Sequence, residues 1–250
     1  MFCFIKLRKV YCTLAGANSV MVAIATVAIF ALVQPLQGQP ATVPLTDLAF
    51  FRNPGKSWQI AGDVTADLQQ QNALRVSQGQ GVLVNAPARK KPGQDLLTVA
   101  EYGDQDVELD FMMARGSNSG IYLQGLYEVQ LADSWGETKI TAASVGGIYE
   151  RWDEKRPSGR QGYEGYVARQ NAGRAPGLWQ HLKISFQAPR FDASGKKVEN
   201  AKMLWVELNG TVIHENVELS GPTRGAISSD EKATGPLRFQ GDHGAVAFRN

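Results

Sequence analysis

Cysteine is nearly absent from this chain. Only Cys3 and Cys12 occur among 250 residues, and both precede the longest apolar run, residues 20–33. A domain that follows this run therefore has no disulfide, no thiolate nucleophile and no cysteine-held metal, so its stability has to come from a packed core. Histidine is scarce as well, with three in all and neither a His-x-His nor a His-Glu-x-x-His pattern. A metal centre would need scattered carboxylates, and neither metal nor cofactor is expected. Gly-x-Ser-x-Gly and phosphate-loop patterns are missing, which removes the common hydrolase elbow and nucleotide sites. No segment longer than a turn or two repeats every 3.6 residues, so a helical fold is excluded. Charge of one sign is lacking too: 26 Lys and Arg stand against 24 Asp and Glu.

The amino-terminal segment differs from the rest. Lys6, Arg8 and Lys9 are followed by an uncharged run of fourteen residues, 20–33. That is short of the roughly 20 residues a membrane helix requires, and the pattern is that of a signal peptide. Residues 1–38 are expected to be a leader cleaved between Gly38 and Gln39, an uncleaved anchor being the alternative. Neither cysteine is placed to be a lipobox cysteine. Removing the three leader cations takes the formal charge from +2 to −1. A chain without a basic stripe has little to offer a nucleic acid. The expectation is an exported monomer, free of the membrane after processing. With 43% apolar and 20% charged residues, residues 43–250 suit a single domain with a full core.

Strand signals fill that domain. Residues 73–77, 81–85, 96–99, 105–113 and 179–186 are short runs separated by turn residues. In 105–113, Val107, Leu109 and Phe111 alternate with Glu108, Asp110 and Met112. Asn209-Gly210, between two further runs, is the strongest hairpin signal, because a type I′ turn needs positive φ at both positions. Residues 45–48 could form one helical turn. Segments 150–174 and 219–234 read as long polar loops able to wall a site. The architecture expected is all-β: two antiparallel sheets packed as a sandwich.

One stretch, Ser117-Asn118-Ser119-Gly120-Ile121-Tyr122-Leu123-Gln124-Gly125-Leu126-Tyr127-Glu128-Val129-Gln130-Leu131-Ala132-Asp133, reads as a hairpin with polar chemistry on its second strand. Glu128 and Gln130 share a face about 6.5–7 Å apart along the strand, a spacing suited to gripping a polyol. Asp133 lies just beyond, as an acid or as a turn former. Glu128, Asp133 and Glu137 are too widely spaced for the paired carboxylates of a laminarinase-type retaining mechanism. His243, after Asp242, is a candidate acid or a structural loop residue, whereas His181 and His214 sit on ordinary solvent faces. Tyr149, Trp135 and Trp152 could stack on a sugar; Trp58, Trp179 and Trp205 read as core or edge residues.

The hairpin, followed in order by Gly146-Gly147-Ile148-Tyr149, Gly177-Leu178-Trp179-Gln180, Leu208-Asn209-Gly210, Gly235-Pro236-Leu237 and the closing 240–250, resembles the 3-keto-disaccharide hydrolase domain family. The resemblance spans about residues 45–250 and implies a concanavalin A-like jelly roll with the ligand on its concave sheet. It also implies cleavage of glycosides oxidised to a ketone at C3. The ketone acidifies the C2 hydrogen, a base removes it, the C1 substituent leaves, and water adds back. On this reading Glu128 or Asp133 is the base and His243 the acid, while Gln130, Tyr149, Tyr122, Gln124 and Trp135 contact the carbohydrate. Gln124 stands where the family pattern has arginine, and Gly241 interrupts its Gln-Asp pair. A carbohydrate-binding relative without activity, or a structural module of a surface assembly, are the other readings.

Overall fold

The computed structural model describes residues 4–8, 41–88 and 92–250. Their strands in chain order are β1 Phe4–Arg8, β2 Ala41–Pro44, β3 Phe51–Arg52, β4 Trp58–Ala66, β5 Leu74–Asn85, β6 Leu96–Tyr102, β7 Gln105–Met113, β8 Asn118–Leu123 and β9 Tyr127–Ala132. They continue as β10 Arg151–Trp152, β11 Gly162–Tyr163, β12 Gln180–Gln187, β13 Arg190–Phe191, β14 Lys197–Glu199, β15 Ala201–Leu208, β16 Thr211–Leu219, β17 Gly235–Phe239 and β18 Val246–Arg249. No helix occurs among the described residues.

Two antiparallel sheets make the sandwich. The larger has the order β16-β15-β12-β7-β18-β5-β4, with β1 and β2 beside it; the smaller runs β3-β6-β17-β8-β9. Alternation explains the packing. Leu109, Phe111, Leu182, Ile184, Val206 and Phe248 project from the large sheet onto Ile121, Leu123, Val129, Leu131, Leu237 and Phe239 of the small one, each at most 1% exposed. Burying a side chain of this size stabilises by about 1.5–3 kcal/mol. A run of rings, Trp58 on Phe248 (6.3 Å), Phe248 on Phe239 (5.0 Å) and Phe239 on Phe51 (6.0 Å), ties the sheets together where β17 passes to β18.

Two hairpins matter beyond the core. Asn209 and Gly210 have φ of 52° and 84°, the backbone the Asn-Gly pair prescribes. The long β4–β5 hairpin loses register between Ala61 and Asp63, where Gly62 and Gly79 pass so closely that a Cβ on either would strike backbone. The bent hairpin covers a second, smaller core of Ala61, Val64, Val82, Val84, Met112 and Ala247 on the outside of the large sheet. This is why Met112, on the polar row of β7, is buried. The hairpin tip is tied to the β7–β8 connection, Asn72 N donating to Arg115 O (2.8 Å) and Arg115 Nη1 to Leu68 O (2.9 Å).

Two findings depart from the sequence reading, and a third falls within its expected leader. Residues 45–48 form a turn, not a helical one: Asp47 Oδ1 accepts from Ala49 N, and Phe51 N donates to Leu48 O. His214 is not on a solvent face; it is 4% exposed and its Nε2 bonds Gly146 O at 2.8 Å. The cause is a register shift between Val206 and Glu207, which breaks strict alternation along β16 and buries both Ile213 and His214. Lastly, β1 falls within the expected leader, the rest of which lies outside the described residues. Its backbone pairs with Asp106–Glu108 of β7, in the lane that β18 occupies farther along.

Candidate active site

The side-chain period of a strand is two, so residues alternating with the small sheet's core face point away from it. Register then sets neighbours: Tyr122 lies opposite Glu128, Gly120 opposite Gln130, and Arg238 of β17 opposite Tyr122 on its other side. Gly120 leaves room here. A Cβ at that position would lie 2.1 Å from Glu128 Oε1, so the absent side chain is what accommodates the carboxylate.

Three connections bring the remaining walls. Residues 146–149 run along β9, with Gln130 N donating to Gly147 O (2.8 Å) and Tyr149 N to Glu128 O (3.1 Å), and this delivers the Tyr149 side chain. In the loop after β16, Thr223 Oγ1 accepts from Glu128 N (3.1 Å) and Arg224 N donates to Glu150 O (2.7 Å). The β17–β18 connection is held most tightly. Asn85 Nδ2 donates to Gly241 O (2.7 Å) and Gly244 O (2.8 Å), Gly241 N donates to Asp95 Oδ1 (2.9 Å), and Ser119 Oγ donates to Gln240 O (2.8 Å). Gly241, the residue additional to the family pattern, is thus bonded on both sides. Together these segments enclose a cavity of about 340 Å³ lined by Asn118, Tyr122, Glu128, Gln130, Tyr149, Arg224, Gly225, Gln240 and His243.

Glu128 is 1% exposed. Its Oε1 accepts from the Gln130 amide nitrogen (3.0 Å), which also donates to Ser119 O (2.9 Å); the reverse amide orientation would set acceptor against acceptor. Its other oxygen, Oε2, has no partner of sound hydrogen-bond geometry. Burial pushes the carboxyl up to about 8, and the nearby Tyr122 hydroxyl and the Arg238 charge pull down against it, while Asp95 and Asp242 add to the rise. Burial, and then Glu128, also raise Tyr122, so its hydroxyl remains a donor. Arg238 is committed elsewhere: it lies 4.0 Å over the Tyr122 ring, pairs with Asp95 Oδ2 (2.7 Å) and donates to Gly225 O (2.6 Å). Asn118 Oδ1 and Gln240 Oε1 also lack partners. Three side chains of one cavity therefore each present an unsatisfied acceptor, the condition a polar ligand relieves. Among the described residues no three His, Cys, Asp or Glu side chains cluster as metal ligands.

Of the residues singled out in the sequence, Glu128, Gln130, Tyr122, Tyr149 and His243 converge on this cavity. Asp133 does not line it; its Oδ2 accepts from Gly116 N (2.8 Å) and closes the turn. Gln124 does not line it either. It occupies a left-handed turn position (φ 55°), and its amide donates to Tyr102 O and Ala233 O. Trp135 is 60% exposed and outside the cavity. Trp152 acts at one remove, its ring lying 3.7 Å beneath the Arg224 guanidinium. Sequence reasoning missed Asn118, Arg224, Arg238 and Gln240, although Arg238 carried a weak signal as a charge inside an apolar strand.

Residues 49–250 match the family model of the 3-keto-alpha-glucoside-1,2-lyase-like domain. The chain belongs to that family. Among solved structures, this lyase-like domain is similar to a Parabacteroides distasonis ATCC 8503 protein described provisionally as a glycosyl hydrolase. The two are 25% identical, with 78% of this chain and 77% of that one covered, at a TM-score of 0.53. A second protein of that organism, described in the same way, is 21% identical over 77% of this chain and 96% of its own, at a TM-score of 0.45. No curated protein matches. Family and solved relative together support a glycosidase-like function.

Proposed function

We propose that this chain cleaves 3-keto-glucosides by elimination across C1 and C2, followed by hydration. The observation that carries the reading is Glu128: a buried carboxyl, raised to about 8, with one oxygen unpartnered in a sugar-sized cavity. A base works best with a pKa near the operating pH, and a carboxylate of about 8 accepts a proton far better than an ordinary one. Glu128 takes the C2 proton, and the electrons of that bond pass to the C3 oxygen as an enolate. The Gln130, Tyr149 and Arg224 side chains line the wall where the ketone oxygen can be polarised. Collapse of the enolate breaks the C1–O bond, leaving an unsaturated ketone, and His243 gives a proton to the departing oxygen. Water adding at C1, with a proton returned to C2, yields the 3-keto sugar. The family's lyase designation corresponds to the first half of this sequence.

A purely carbohydrate-binding role is less well supported, because the cavity centres on a buried carboxyl and Trp135 forms no platform in it. The test is methyl 3-keto-α-glucoside in deuterium oxide, followed by proton NMR. Methanol release with loss of the C2 proton signal is expected, and equal cleavage of the unoxidised glycoside would overturn the mechanism.

The domain at residues 43–250 is proposed to act outside the cytoplasm as a monomer. The three cations and fourteen-residue uncharged run support export. Amino-terminal sequencing of the protein from the extracytoplasmic fraction should begin near Gln39; an intact Met1 on cytoplasmic protein would overturn it. Cleavage there would also remove β1 and bare the backbone of β7 at Asp106–Glu108.

A further inference from the structure

Four side chains cross the small sheet in one row. Register sets Glu128 of β9 opposite Tyr122 of β8, Tyr122 opposite Arg238 of β17, and Arg238 opposite Leu97 of β6. Asp95 stands two residues before Leu97 and shares its face, because strand side chains repeat every two residues. The row therefore runs Asp95, Arg238, Tyr122, Glu128, with the backbones of Arg238 and Glu128 two lanes, about 9–10 Å, apart. Arginine and glutamate side chains are long enough to meet across two lanes. Here Arg238 turns the other way: its Nη2 pairs with Asp95 Oδ2 (2.7 Å), its Nη1 donates to Gly225 O (2.6 Å), and Glu128 Oε2 keeps no partner.

The second oxygen of Asp95 does a different task. Asp95 Oδ1 accepts from Gly241 N (2.9 Å), in the β17–β18 connection that goes on to Asp242 and His243. The two segments pass backbone to backbone, since a Cβ on Gly93 would lie 2.0 Å from Gly241 O and one on Gly241 would lie 2.1 Å from Gln94 O. Trp58 Nε1, from the core side, donates to Gln94 O (2.5 Å) and fixes the segment that carries Asp95.

We propose that Asp95 is a positioning residue for both proton transfers: one oxygen holds the Arg238 charge off Glu128, and the other places the connection from which His243 acts. The roles of Glu128 and His243 rest on the elimination reading above. Among the described residues, the ionisable groups around Glu128 are Tyr122 from β8, Arg238 from β17 with Asp95 behind it, Tyr149 from residues 146–149, Arg224 from the loop after β16, and Asp242 and His243 from the connection. Taking away the Asp95 charge removes an anion that raises the Glu128 carboxyl and leaves a cation that lowers it. Both changes act in one direction, towards a weaker base.

The experiment titrates Glu128 itself, by carbon-13 NMR of its side-chain carboxyl in the full chain, the resonance being assigned by its loss in Glu128→Gln. Asp95→Asn keeps an oxygen for Gly241 N but not the charge. Its Glu128 should titrate about one pH unit or more below the parent's, and kcat/KM on methyl 3-keto-α-glucoside should level off earlier and at a lower plateau. Arg238→Met should move the titration upward, and the double variant, which removes both charges, should return it towards the parent. Exchange of the Gly241 amide hydrogen reads the second role: Asp95→Ala should speed it by about tenfold or more, and Asp95→Asn should not. A Glu128 titration unmoved in folded Asp95→Asn overturns the first role, and so does a downward or absent shift in Arg238→Met, which decides the matter if Asp95→Asn fails to fold. Unchanged exchange in Asp95→Ala overturns the second. If the titrations and exchange move as stated but no 3-keto-glucoside is cleaved, the placement of both groups by Asp95 stands and the elimination falls.

Discussion

A buried carboxyl and a partly buried one lie beside tyrosines in this protein, and they are set up oppositely. On the core side of β9, Tyr127 donates to Glu231 Oε1, and Lys197 Nζ sits 2.5 Å from Glu231 Oε2. Both oxygens are used and the charge is neutralised, a closed cluster that fastens the loop after β16 to β14. On the other face, one residue along, Glu128 has the Gln130 amide on Oε1 and Tyr122 as its cross-strand neighbour but no lysine, and Oε2 is unpartnered. Arg238, the nearest cation, is drawn off by Asp95. The difference teaches that burial alone does not make a reactive acid. A carboxyl whose hydrogen bonds all close is architecture, and one left with an open oxygen and no counter-ion is poised to move a proton.

The comparison breaks most sharply at Glu128. Glu128→Gln keeps size and hydrogen bonding but cannot take a proton, so kcat on a 3-keto-glucoside should fall by about 10²–10⁴ while circular dichroism is unchanged. Next comes pH. With the carboxyl at about 8, kcat/KM should rise about tenfold per unit up to pH 8 and then level. Stability runs the other way. A folded-state value above the unfolded one means the folded chain holds an extra proton between about pH 4.5 and 8, so stability declines as pH rises through that window. Glu128→Gln should flatten this decline and be the more stable protein above pH 8 by about 1–3 kcal/mol in urea unfolding.

The closed cluster should give the reverse phenotype. Lys197→Met strands Glu231 and should cost about 1–3 kcal/mol, with kcat within about twofold of the parent at a temperature where both are folded. Smallest of all, Trp135→Ala should alter neither kcat/KM nor stability by more than about 0.5 kcal/mol, because the ring is largely exposed and outside the cavity. A large loss of disaccharide affinity in that variant would mean the ring reaches substrate after all.

What was legible in the sequence is what strand periodicity controls. Glu128 and Gln130 share a face because β structure repeats every two residues, and Asn209-Gly210 announced its turn through the φ it tolerates. Illegible was everything that depends on which strands become neighbours. Arg238 reaches Tyr122 only because β17 lies between β6 and β8, a long-range pairing with no local signature. Arg224 and Gln240 come from connections whose paths are set by tertiary bonds to Glu150 and Ser119. Gln124 was misplaced for a different reason: it takes a left-handed turn conformation that turns its amide inward to Tyr102 and Ala233, which the family pattern alone could not reveal.

The missing side chain at Gly120 has a consequence for descent as well as for chemistry. A Cβ there would meet Glu128 Oε1 at 2.1 Å, so even alanine forces the carboxyl to move. The sandwich core, on the opposite face, would not register the change. On the mechanism proposed above, a single substitution at Gly120 would therefore displace the base and leave the core side of the sheet as it is. Within such a family, the residue at this position is the first to inspect when sorting working lyases from retired ones.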